Sequence, residues 1–204
     1  MLVYVLRKGD KMSDKKYELT DETIEVEGRT LYRIIAVTDF GGIKAGDIGG
    51  FIEKESNLAQ TKQCWVYDNA MVYDNARVFD DARVFDDARV FGNARIYDDV
   101  WVYDNALVFD HAHMHFNSNA FGNAEIFDNA VICGSAEIYG NAHIFGEALI
   151  GGSAKVSGLA IVYGKAKIFA KARVSGWAII SGHAKVVGNT RVFGVPWSPA
   201  ILKY

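Results

Sequence analysis

Three of the chain's five histidines fall within five residues, in His111-Ala112-His113-Met114-His115. Successive strand side chains alternate between faces, so if Met114 points inward, His113 and His115 both point outward from one strand. The repeat described below places Cys133 one rung above His115. Two imidazoles and a thiolate form a plausible three-ligand set for zinc, which takes nitrogen and sulfur donors in tetrahedral sites. His113, His115 and Cys133 are therefore the candidate metal site, with zinc as the ion. The competing reading is three ordinary outward side chains where an aromatic column breaks. His113, His115 and His143 are the candidate acid–base groups, although no carboxylate partner for His113 or His115 is identifiable. No other cofactor is expected.

These residues sit within a repeat of six. From Trp65 the text runs WVYDNA, MVYDNA, RVFDDA, RVFDDA and onward to Pro196 without a slip, giving 132 residues or 22 hexads. The second position is Val or Ile except at Met114 and Ala120. The sixth is Ala except at Val100, Ser118, Thr190 and Pro196. Neither an α-helix nor a flat strand keeps that spacing, whereas a chain that turns a corner every six residues does. The branched residue fills the inside of a short strand and Ala fits inside the corner. Asp, Asn and Gly supply the turns. Three hexads close a triangular coil, so residue i stacks on i+18 with about 4.8 Å between rungs. The fold class is all-β, a parallel β-helix of about seven to eight triangular coils.

The organisation expected along the chain has four parts. Residues 1–14 read as a disordered leader, with Met12 as a second candidate start. Residues 15–48 read as an N-terminal β-hairpin cap that turns at Glu27-Gly28. Residues 49–196 are the β-helix, with Ile52, Leu58 and Cys64 in small inward slots and Ile48 in a branched one. Residues 197–204 close the last coil, with Trp197 and Ile201 as its lid. The first prolines, Pro196 and Pro199, arrive where the repeat stops, consistent with the loss of a ladder hydrogen bond at each proline.

The outward positions carry the functional argument. Along the first face the residue after the inward Val or Ile is Tyr73, Phe91, Phe109, Phe127, Phe145 and Tyr163. The residue before it includes Leu107 and Ile161. Six such rings offer on the order of 1,000 Å², against roughly 300–600 Å² for the largest apolar patch of an ordinary monomer. The interface set is therefore Tyr73, Phe91, Leu107, Phe109, Phe127, Phe145, Ile161 and Tyr163. The simplest occupant is a second copy, giving a dimer or trimer. The net charge of −3 and the lack of a long apolar segment argue against nucleic-acid and membrane partners. Only Cys64 and Cys133 are present, as expected in a reducing compartment, so the cytoplasm is the expected location. Ice-binding Thr ladders and calcium-binding nonapeptide repeats are absent from the text.

The spacing of inward residues in Val66-Tyr67-Asp68-Asn69-Ala70-Met71 resembles the hexapeptide-repeat pattern. The segments Arg33-Ile34-Ile35-Ala36-Val37-Thr38-Asp39-Phe40, Gly49-Gly50-Phe51 and Cys64-Trp65-Val66 are similar to those of uncharacterised bacterial and phage hexapeptide-repeat proteins. Some of these carry an acyltransferase label. The resemblance implies a left-handed coil and phage or prophage coding, and hence a host protein as a possible partner. Hexapeptide acyltransferases further imply a trimer, a catalytic His, an acyl-CoA donor and usually a loop that walls the donor pocket. This chain has no insertion in its hexads, and fold alone does not confer activity. The expectation is therefore a non-enzymatic structural or protein-binding β-helix. The alternative is an acyltransferase acting at a subunit interface.

Overall fold

The computed structural model describes residues 15–203, so the expected leader over 1–14 lies outside the described residues. The hexads fold as expected into a three-sided parallel β-solenoid of about eight turns, consistent with the left-handed β-helix. Each hexad contributes one very short strand, such as Trp65–Val66 or Met71–Val72. The strands sort into three sheets by i+18: Met71 with Arg89 and Leu107, Trp65 with Arg83 and Trp101, and Arg77 with Arg95 and His113. These are called here the first, second and third faces. The branched and Ala columns are fully buried along the axis, from Val66 and Ala70 to Ile180. Met114, Ala120 and Ser118 are equally buried. The Ser118 hydroxyl is satisfied by the carbonyls of His115 and Ile132.

The corners explain the turn residues. The fourth hexad position adopts left-handed backbone at every Asp from Asp68 (φ 50°) to Asp128 (φ 55°), and at Gly from Gly92 to Gly188. Asp tolerates that region better than most L residues. It also adds a bond: Asp68 accepts the Asp86 amide, Asp86 that of Asp104 and Asp104 that of Gly122, at 3.3, 3.1 and 2.9 Å. Phe116 (φ 61°) and Ala170 (φ 62°) occupy the same slot with side chains that accept no such bond, although the Phe116 amide itself donates to Asp98 at 2.9 Å.

The N-terminal text forms the expected hairpin, β1 (Tyr17–Val26) and β2 (Arg29–Ala36), joined by Glu27 and Gly28 at positive φ. A third strand, β3 (Ile48–Ile52), pairs antiparallel with β2 and parallel with Met71–Val72. The hairpin therefore extends the first-face sheet.

Two expectations are corrected here. Ile52 pairs opposite Val72 and Leu58 opposite Val78. Both occupy branched slots, two residues out of the phase extrapolated backwards, and Ile48 stands 57% exposed. The extra residues are absorbed between Leu58 and Trp65. At the other end Trp197 is 85% exposed and no lid. Ile201–Lys203 instead adds a rung beside Ile179–Ser181, and Leu202 packs on the core.

Candidate functional site

The first face carries a continuous stack of rings. Centroids from Phe91 through Phe109, Phe127, Phe145 and Tyr163 are spaced 4.8, 4.9, 4.9 and 5.1 Å, with planes within 8° of parallel. The reason is local: each ring leaves the same strand position, and rungs repeat at about ring-stacking distance. Stacking hides the ring faces against one another and leaves the edges outward, so each ring is only half-exposed. The apolar area is therefore smaller than the side chains alone suggest.

Tyr73 is removed from the predicted interface set altogether. It is completely buried, in a small cluster with Leu31 and Phe51 that Ile24, Val26, Met71 and Phe91 surround. The hairpin covers the N-terminal end of the stack. Arg33 holds it there: its guanidinium lies 4.0 Å from the Phe51 ring centroid and donates to the Gly49 and Asp68 carbonyls and to Glu22. The remaining predicted interface residues, Phe91, Leu107, Phe109, Phe127, Phe145, Ile161 and Tyr163, share one sheet face.

In the same face the structure supplies a partner for one candidate histidine. His143 Nδ1 lies 3.1 Å from Glu125 Oε2 on the rung below. A carboxylate at Nδ1 fixes the ring and leaves Nε2 as the proton acceptor. The pair sits between Leu107 and Ile161 in its own column, beside Phe127 and Phe145 in the next. Sequence reasoning did not single out Glu125. The i+18 rule that defines the columns already places it under His143.

The other candidates are not brought together. Among the described residues no three His, Cys, Asp or Glu side chains group to hold a metal ion, so the predicted site at His113, His115 and Cys133 does not form. The His115 ring lies flat on Tyr97, with centroids 5.2 Å apart and planes 10° from parallel, which points its nitrogens sideways. Cys133 Sγ lies within 2.8 Å of where a Cβ on Gly151, one rung up, would stand. Burial raises the Cys133 thiol pKa. Burial, then Arg95 and the neighbouring histidines, lowers the His113 pKa, and burial lowers that of His115. Two clefts open on other parts of the surface. One of about 470 Å³ runs between Leu58, Gln60, Arg77 and Arg95, and one of about 360 Å³ includes Arg83 and Trp101. Neither is lined by His113, His115 or His143.

The geometry is that of a parallel β-solenoid with hexad-spaced inward residues and columns of outward side chains, and the chain is similar over short stretches to β-solenoid repeat proteins, one of which carries an acetyltransferase name. A family model described as the YdcK β-solenoid repeat matches residues 88–103. A protein of Escherichia coli (strain K12) named "Uncharacterized acetyltransferase YdcK" is 39% identical over 62 residues, which cover 26% of this chain and 19% of that protein. No helix among the described residues is long and apolar enough to cross a membrane.

Proposed function

We propose that the protein acts as a rigid β-helix that associates with copies of itself through the first face, without catalysis. The observation that carries this reading is the unbroken stack from Phe91 to Tyr163, flanked by Leu107, Ile161 and Ile179. The other two faces place Arg or Lys at about half of the corresponding positions. A ring stacked on both sides leaves roughly a third of its 150–250 Å² in water. Five rings and three aliphatic side chains then give about 500 Å² of apolar surface. A standard interface buries about 800 Å² per partner, a little under two-thirds of it apolar. The strip is thus about the apolar part of one ordinary interface. A host protein, suggested by the resemblance to phage-borne relatives, would compete for the same face. The reduced thiols of Cys64 and Cys133 suit the cytoplasm.

Light scattering at micromolar concentration should give a dimer or trimer, and Phe109→Asp should give a monomer. Because Phe109 also stabilises the coils, Leu107→Lys serves as the second variant, leaving the ring stack intact. A monomeric parent protein, or association unchanged in both variants, would refute the reading.

The His143–Glu125 pair favours one second reading, acyl transfer at the boundary that such association creates. There Nε2 would take the proton from an acceptor hydroxyl or amine as a CoA thioester is attacked. Thiol release from acetyl-CoA in the presence of candidate acceptors, lost in His143→Ala, would establish it. Equal rates in parent and variant would dismiss it.

A further inference from the structure

We propose that the corner between the second and third faces binds a neutral saccharide, at a site independent of the first face. The cleft there holds about 360 Å³ and is lined by Arg83, Asp99, Trp101, Asn117 and Asn119. Arg83, Trp101 and Asn119 are consecutive rungs of one outward column. Asp99 and Asn117 are consecutive rungs of the adjoining corner. Asn119 is the shortest side chain in its column, between Trp101 and Glu137, and it opens the space above the indole. It belongs to the stretch 111–120, where the repeat departs most from its pattern.

The polar groups around this cleft are idle. Among the described residues, the side chains of Asp99, Asn117 and Asn119 make no hydrogen bond or ion pair, and Arg83 Nε is buried without a partner. Elsewhere corner side chains bond to their neighbours up the stack, as in Asn69–Asp87, Asn75–Asn93 and Asn123–Asn141.

The donor and acceptor set selects the ligand class. Arg83 only donates, Asp99 only accepts, and each Asn amide does both. A vicinal diol also does both at each hydroxyl, so it can satisfy all four. An anion would gain from Arg83 but meet Asp99 in the same cleft, which favours an uncharged polyol. Trp101 is 43% exposed, with Phe85 against its edge and the Arg83 guanidinium 5.7 Å from its centroid. The indole is thus held in place while it offers apolar surface to the C–H side of a pyranose ring. A shallow cleft and a ligand of about a dozen heavy atoms imply a dissociation constant on the order of 1–10 mM.

The test is NMR of the tryptophan indole N–H signals, assigned with Trp101→Phe. The parent protein is titrated with a panel of neutral mono- and disaccharides and, separately, with inorganic phosphate. Trp177, 45% exposed and outside the cleft, is the internal control. At least one sugar should shift Trp101 saturably and leave Trp177 in place, and Arg83→Gln or Asn119→Ala should weaken that binding about ten-fold. No saturable shift with any sugar, equal shifts at Trp177, or a response to phosphate alone would each overturn the proposal.

Discussion

The corner column makes Asp104 a direct test of what holds successive coils in register. Asp104 has φ 57°, accepts the Gly122 amide at 2.9 Å, and is itself bonded from below by Asp86. Asp104→Ala puts a Cβ without compensating hydrogen bonds into left-handed backbone, at about 1–2 kcal/mol. It also removes the acceptor of an exposed amide, worth about 0.5–1 kcal/mol net. The expected loss is about 2 kcal/mol, or roughly 4–8 °C in Tm for a chain of this size. Asp104→Gly keeps the backbone freedom and loses only the bond, so it should cost about 1 kcal/mol or less, including glycine's greater unfolded-state entropy. Asp104→Asn keeps both the tolerance and an oxygen acceptor, and should stay within about 0.5 kcal/mol of the parent. Thermal and urea unfolding, each followed by circular dichroism, measure the series. If Gly costs as much as Ala, backbone strain is not the governing quantity. If Asn costs as much as Ala, the charge matters and the hydrogen-bond argument fails.

Further outcomes follow from the partly buried histidines and the N-terminal hairpin. His113 and His115 have pKa values lowered by burial, so the unfolded chain binds protons that the folded one refuses. Their contribution is fully present above the ordinary histidine pKa of about 6.5 and is lost as pH falls from there towards the folded values. The double variant His113→Gln/His115→Gln should flatten the fall in Tm over that window; an unchanged acid limb would assign the fall to carboxylates instead. Tyr17 is fully buried and donates to the Leu58 carbonyl at 2.7 Å, with the Glu55 carbonyl at 3.1 Å. Tyr17→Phe should destabilise the hairpin by about 1–2 kcal/mol, read as faster amide exchange in β1 and β2 than in the coils. Uniform exchange rates would show the hairpin and solenoid opening as one unit.

The solenoid was legible because its inward slots have almost no freedom: one branched and one small residue per corner, repeated without a slip. The hairpin was legible because Glu27-Gly28 interrupts two strand-like runs. What failed was local, and the causes are physical. The phase extrapolated below Trp65 assumed a constant rung length, whereas the first rung carries two extra residues that no periodicity marks. Tyr73 looked like the start of an exposed stack because nothing in its own hexad shows that Leu31, more than forty residues earlier, will cover it. The area of the stack is smaller than the sum of its single side chains because rings at rung spacing cover one another.

The metal reading failed for a reason that also shows where chemistry can occur on such a scaffold. His113 and His115 are neighbours along the chain, but alternate strand residues stand about 6.5–7 Å apart. Stacking along the axis also lays the His115 ring flat on Tyr97. Neighbours across rungs are closer, at about 4.8 Å, and point the same way. The carboxylate contacts of the coils follow that rule: Glu125 with His143, Glu137 with Lys155 and Glu147 with Lys165 are all eighteen residues apart. Arg83, Trp101 and Asn119 rise in the same way. On a prism whose interior is fixed, a functional motif is written up a column and not along a hexad. A linear motif such as His-x-His is then weak evidence, whereas a charged or aromatic column with unpaired members is the stronger signal. The first-face strip around His143 and the corner cleft around Trp101 are both arranged in this way, up columns of the coil.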